Sequence, residues 1–182
     1  MKIYVRKFGV FSLLIIGILT GCGYSTRSLI KSRFKTVYVE PVKNKVDITQ
    51  EAANQRLFRT YHPLLDRDIT NAIIERYAFE GGLRLAQPQD ADIILKAELI
   101  DYRRDALRYD DNDNVLEYRL TLILNMVLRD NKKDEEVWSE TNFSGDTTYF
   151  VTGSQAKSES SAVDAAIKDL AKRVVERTIE DW

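Results

Sequence analysis

Apolar and polar positions repeat with two different periods along this chain, and the change of period marks its elements. From Val115 to Arg129 the period is two. Leu116, Tyr118, Leu120, Leu122, Leu124, Met126 and Leu128 share one face, and Glu117, Arg119, Thr121 and Asn125 lie opposite, the pattern of a half-buried strand. Ile93–Tyr109 starts the same way, with Ile93, Leu95, Ala97 and Leu99 against Lys96 and Glu98. Glu135–Thr148 alternates less cleanly, with Val137 and Phe143 on one side and Trp138 on the other. Asp110–Asn114 and Asp130–Asp134 are rich in turn residues. These runs, with the short Leu83–Ala86, are therefore expected to form an antiparallel meander. Thr36–Val42 reads as a further short strand, interrupted by Pro41 and placed at a sheet edge.

Helical spacing appears twice. Pro63 suits a first turn, and Leu65, Ile69, Ala72, Ile73 and Tyr77 make a stripe that ends near Phe79, before Gly81-Gly82. Val163 to Trp182 carries a second stripe of Val163, Ala166, Ile167, Leu170, Val174, Thr178 and Trp182. Residues 43–61 are polar, and Asp47–Glu51 within them has the composition of a helix start. Two amphipathic helices and one sheet with a single apolar face predict an α+β fold. It is a two-layer α/β sandwich, with a mainly antiparallel sheet of four to five strands and both helices packed on one face.

The amino terminus changes the picture. Lys2, Arg6 and Lys7 precede an apolar run from Phe8 to Leu19, the order of a secretory signal. That run is too short to span a bilayer, which needs about 20 apolar residues. Leu19-Thr20-Gly21-Cys22 follows, and it holds the only cysteine of the chain. The tetrapeptide resembles a bacterial lipobox, in which cleavage leaves an acylated cysteine as the first mature residue. Residues 1–21 are thus expected to be a removed signal peptide. Residues 22–35 would be a lipidated tether, and residues 36–182 a single domain large enough to bury a core. The competing reading is an ordinary signal with a chance cysteine. Gly23, where an aspartate would signal inner-membrane retention in many Gram-negative bacteria, favours the outer membrane. The first 21 residues hold three of the 27 Lys and Arg and none of the 28 Asp and Glu, so the remainder is mildly acidic. Such a balance gives nucleic acid no electrostatic footprint.

Catalytic and metal chemistry find little support. The only histidine, His62, precedes Pro63 and has no nucleophile motif to serve; a surface or cap histidine explains it. Asp110-Asp111-Asn112-Asp113-Asn114 resembles a calcium loop for five residues, but Val115 stands where that loop needs glycine and Thr121 where it needs the closing glutamate. A hairpin turn accounts for the run. No catalytic residue, metal ligand or cofactor is assigned, so binding remains. Arg103, Arg104 and Arg108 cluster near the end of the long strand, and Lys157 lies before the last helix. Brought together at one end, they would make a cationic patch suited to phosphate or carboxylate. Alternatively, the arginines answer Asp101, Asp105 and the Asp110 run on a solvated hairpin.

The order of motifs resembles the lipopolysaccharide-assembly lipoprotein family, LptE, over nearly the whole mature chain. It starts with Cys22-Gly23-Tyr24 and continues through the strand Lys35–Pro41 and the helix before Gly81-Gly82. Ala91-Asp92-Ile93-Ile94-Leu95, Glu117-Tyr118-Arg119-Leu120 and Glu136-Val137-Trp138 follow, then the terminal helix. The resemblance implies a sandwich of two helices on a mainly antiparallel sheet. It also implies a non-enzymatic lipoprotein of the outer membrane, lipid-anchored at Cys22 on the periplasmic side. Such a protein plugs the LptD β-barrel and helps lipopolysaccharide reach the outer leaflet. The sheet's outer face should then be polar and wet, as Glu117, Arg119, Thr121 and Asn125 suggest. Family members carry basic residues near the meander tip and before the last helix, which makes Arg108 and Lys157 the foremost lipopolysaccharide-binding candidates, with Arg104 and Arg103 beside them. Lys157 is the better match, because the turn after Arg108 differs in length from some relatives. Residues 43–61 are longer and more polar than in many relatives. A structural or pilotin-like outer-membrane lipoprotein without lipopolysaccharide contact is the alternative.

Overall fold

Three long strands carry the fold: β4 (Ile93–Tyr109), β5 (Val115–Asp130) and β6 (Glu135–Phe150). Each is extended because alternate residues find one buried face, and each pair turns through the expected Asp- and Asn-rich loops. The computed structural model describes residues 33–46, 63–80 and 82–179. The expected signal peptide, Cys22, most of the tether, Asp47–Glu51, His62, Gly81 and Trp182 lie outside the described residues. The shorter elements are β1 (Thr36–Val39), β2 (Lys43–Asn44), β3 (Arg84–Leu85), α1 (Leu65–Glu80) and α2 (Glu159–Ile179).

The sheet runs β3-β1-β4-β5-β6, with β2 pairing β4 beyond β1. β4, β5 and β6 form the antiparallel meander. Two expectations change at the other side. The strand at Thr36–Val39 is not an edge, because it lies between β3 and β4 and runs parallel to both. Leu83–Ala86 does not belong to the meander; its strand pairs parallel with β1. Parallel neighbours need a crossover, and α1 provides it between β1 and β3. The result is an α+β two-layer sandwich with a mixed six-stranded sheet.

Both helices cover one face. Val37, Leu95, Leu99, Leu122, Leu124 and Leu128 look out from the sheet, and Ile69, Ile73 and Tyr77 of α1 meet them with Ala166, Leu170 and Val174 of α2. α2 begins four residues before the apolar stripe, at Glu159. Ser158 caps it: the Ser161 amide donates to the Ser158 hydroxyl at 3.2 Å. α2 also sits unusually close to β6. A Cβ at Gly145 would come within 2.5 Å of the Leu170 backbone, so only glycine fits beneath the helix there.

The expected facing of β6 is corrected by a bulge. Leu124 and Met126 oppose Phe143 and Glu140, so one intervening residue of β5 faces two of β6, and Asn142 takes a φ of 57°. The Asn142 amide donates to the Asn125 side chain at 3.0 Å. An extra residue reverses the alternation, so Trp138 and Phe143 share the helix-covered face. Arg177 of α2 confirms this, bonding Glu140 and lying 4.9 Å from the Trp138 ring centre.

One end of the sheet, its base, gathers the chain before β1, the start of β4 and the β5–β6 turn. Phe34 is already in the core, so packing begins before Thr36. Asp92 accepts the Lys35 and Thr36 amides at 2.9 and 3.1 Å and the Lys132 ammonium at 2.6 Å. Arg33 pairs with the buried Asp130 at 3.0 Å.

Candidate functional site

The opposite end, the tip, is built by the end of β4, the start of β5, the end of β6 and the segment from Val151 to Ser158. Its hairpin closes because the Asp110 carboxylate accepts the Asn112 and Asn114 amides at 2.8 and 2.9 Å, while Asp113 takes a φ of 60°. The Asn114 side-chain amide, and after it those backbone bonds, hold the Asp110 carboxyl below its ordinary range and identify the acidic run as a turn. About 50 Å of strand separates this end from the base. α2 starts level with Tyr102 and Arg104, its first residue bonding both.

The four cationic candidates do not act alike. Opposite residues on neighbouring strands share a face, and Arg104 opposes Leu120 whereas Arg103 opposes Thr121. Arg104 therefore points to the helix side and Arg103 to the outer side. Arg104 is engaged with Glu159 of α2 and lies 4.8 Å from the Tyr118 ring centre. Arg103 is exposed and stands 3.5 Å from Asp101. Arg108 opposes Glu117, pairs with it at 3.0 Å, and lies 5.8 Å from the Phe150 ring centre. Lys157 is exposed, and its amide donates to the Phe150 carbonyl at 2.8 Å. Phe150 thus links Arg108, beside its ring, to Lys157, bonded to its backbone. The tip and the segment before α2 meet, as the cationic-patch reading required, but Arg104 is turned away from that meeting.

A helix-side polar cluster backs the tip. Tyr102 donates to Glu159 at 2.9 Å, and the Tyr118 and Tyr149 rings stack with centres 5.9 Å apart. Burial raises the Tyr102 hydroxyl well above its ordinary range, with the Glu159 carboxylate adding to it. Burial likewise raises Tyr149. For Arg104 desolvation works against the charge, and the Glu159 carboxylate more than offsets it, so its pKa rises.

The expectation of a wet outer face is corrected at two residues. Glu117 is only 8% exposed, since Arg108 closes over it from β4 and Phe150 opposes it on β6. Ile123, opposite Asp101 and Ser144 on that same face, is also buried. The face is polar in part and not uniformly wet.

Sequence periodicity also missed three exposed apolar residues at the tip, Leu107, Tyr109 and Val151. Register shifts between Ala106, Arg108 and Tyr109 interrupt alternation there. The available signal was four consecutive residues, Ala106 to Tyr109, that fit neither face.

Comparison with known proteins places this geometry. No curated protein matches the sequence. Among solved structures, one from Xanthomonas campestris is 13% identical, covers 80% of this chain and 84% of its own, and has a TM-score of 0.51. It is similar in fold. A minor lipoprotein from Acinetobacter baumannii (13% identity, 80% and 94% coverage, TM-score 0.47) and the rare lipoprotein B from Shewanella oneidensis (12%, 78% and 89%, 0.42) are more distant and carry no argument. The family model for LptE, described as lipopolysaccharide assembly, matches residues 34–180. Since that match spans β1 to the end of α2, the chain belongs to the LptE family of lipopolysaccharide-assembly proteins.

Proposed function

We propose that this protein is a lipoprotein anchored through Cys22 to the periplasmic side of the outer membrane, where it plugs the LptD β-barrel and helps deliver lipopolysaccharide to the outer leaflet. The family match over residues 34–180 is the observation that carries this reading. Residues 1–21 are removed as a signal, and residues 22–35 tether a single domain. Acyl burial contributes roughly 0.8 kcal/mol per methylene, and two or more chains make a lasting anchor. The work is binding, with no covalent step assigned to any side chain.

The tip supports the ligand reading. Arg108 and Lys157 flank Phe150, and Leu107, Tyr109 and Val151 expose apolar surface nearby. Cations beside apolar side chains suit a phosphorylated, acylated glycolipid. Arg103 adds charge on the outer face.

Affinity purification of the lipidated protein from outer membranes tests the partner. Recovery with a large β-barrel is the expected result. Recovery with a secretin or peptidoglycan instead overturns the reading and favours a pilotin-like lipoprotein. Cys22→Ala should leave an unprocessed precursor; normal maturation contradicts the anchor. Arg108→Asp with Lys157→Asp should weaken lipopolysaccharide binding and its dependence on salt.

A further inference from the structure

Arg104 was a ligand candidate by sequence, yet the fold directs it elsewhere. It is surrounded by protein, with the Tyr118 ring on one side and the Glu159 carboxylate on another, and its side chain is 18% exposed. Tyr102 donates to the other oxygen of the same carboxylate. Glu159 is the first residue of α2, where the positive end of the helix dipole also favours a negative side chain. Three influences therefore fix one carboxylate in one place.

That carboxylate lies two residues beyond Lys157. On the other side, Ala156 makes a parallel bridge with Phe150, and the Lys157 amide donates to the Phe150 carbonyl. Gly153, with a φ of 82°, allows the reversal that brings the chain back to β6, and the Ala156 amide closes it on the Gly153 carbonyl at 3.3 Å. Lys157 is consequently held between a strand backbone before it and a side-chain clamp after it. The same Phe150 faces Arg108, so the clamp fixes the spacing between the two cations at the tip. Ordering a loop in advance lowers the entropy lost on binding.

We propose that Arg104 is a positioning residue: through Glu159 it holds the Gly153–Ser158 segment on β6, so that Lys157 is presented beside Arg108 in a preorganised site. The proposal rests on the lipopolysaccharide-binding reading for the ligand, but the clamp itself is testable without ligand. Arg104→Gln releases Glu159, and the segment then detaches from Phe150 more often. Arg104→Lys keeps the charge and loses the planar fork, so its effect is intermediate.

The test uses the full lipidated protein in two arms. In the first, backbone amide hydrogen exchange is followed without ligand. Arg104→Gln is expected to accelerate exchange at Ala156 and Lys157 about tenfold, with Leu120 to Leu128 of β5 unchanged and Arg104→Lys in between. Unchanged exchange at Lys157, or equal acceleration throughout β5, overturns the clamp. In the second arm the probe is purified lipopolysaccharide. Arg104→Gln is expected to weaken binding about tenfold in the wild-type background and not at all in a Lys157→Ala background, because a positioning residue has nothing left to position. Multiplying losses would make Arg104 a direct contact and overturn the proposal. A wild-type protein without affinity for lipopolysaccharide defeats the functional reading, and the exchange arm still decides the clamp.

Discussion

The base and the tip of the sheet are made from the same three strands but treat polar groups in opposite ways. At the base, carboxylates are saturated: Asp92 takes two amides and an ammonium, and Asp130 takes Arg33 along with the Lys132 and Lys133 amides. These bonds tie the start of β1 to the β5–β6 turn, so the end nearest the proposed anchor is locked. At the tip, cations and apolar side chains remain at the surface. Leu107 and Tyr109 stand exposed beyond the helix layer with Arg108 between them. Interactions that stabilise are concentrated at the base, and groups able to recognise a partner are left where nothing among the described residues covers them.

The contrast can be broken most severely under α2. Gly145→Val should cost about 3 kcal/mol or more, because a Cβ there already meets the Leu170 backbone at 2.5 Å; urea unfolding checks it, and a loss below about 1 kcal/mol would mean that the helix can lift. Asp92→Ala should cost about 2 kcal/mol by orphaning the Lys35 and Thr36 amides and the Lys132 ammonium, again by urea unfolding.

Acid should act through the same carboxylate. The Lys132 ammonium first, then the Lys35 amide, hold the Asp92 carboxyl at about 2 against an ordinary 3.8. A depressed folded-state value makes its contribution complete above pH 4 and lost as pH falls toward 2. The Tm of the wild type should therefore drop more steeply across that window than that of Asp92→Asn. Parallel curves would remove Asp92 from the acid response. The smallest effect belongs to the tip: Leu107→Ser with Val151→Ser should change stability by no more than about 0.5 kcal/mol. A larger loss in thermal unfolding would show that the tip stabilises the fold as the base does.

How much of this was legible follows from which contacts are local. The meander was readable because every second residue from Leu116 to Leu128 is apolar. The stripes of both helices were readable because burial on one side leaves a period of 3.6 in the sequence. β1 was misplaced because four residues carry no information about their neighbours: a strand at an edge and a strand between two parallel partners alternate alike. The facing of Trp138 was missed because one inserted residue at Asn142 reverses the parity of the strand from there back to Trp138, and no property of Glu140 or Thr141 announces the insertion. Among the site candidates, Arg108 and Lys157 were named from the charge pattern and set foremost by the resemblance, and the structure brought them to a common residue, Phe150. The helix-side placement of Arg104 was not legible because adjacent residues on a strand face opposite sides, and Glu159 is 55 residues away.

The sequence by itself determined the layers, since a chain must bury the apolar face that its periodicity creates. It also carries the proposed anchor motif, since acylation would be directed by a local tetrapeptide. Only the tertiary structure decided which cations share the tip, which carboxylates are saturated at the base, and that one arginine faces a helix. Those outcomes depend on register, bulges and crossovers, which arise from pairing between distant segments and leave no period in the chain.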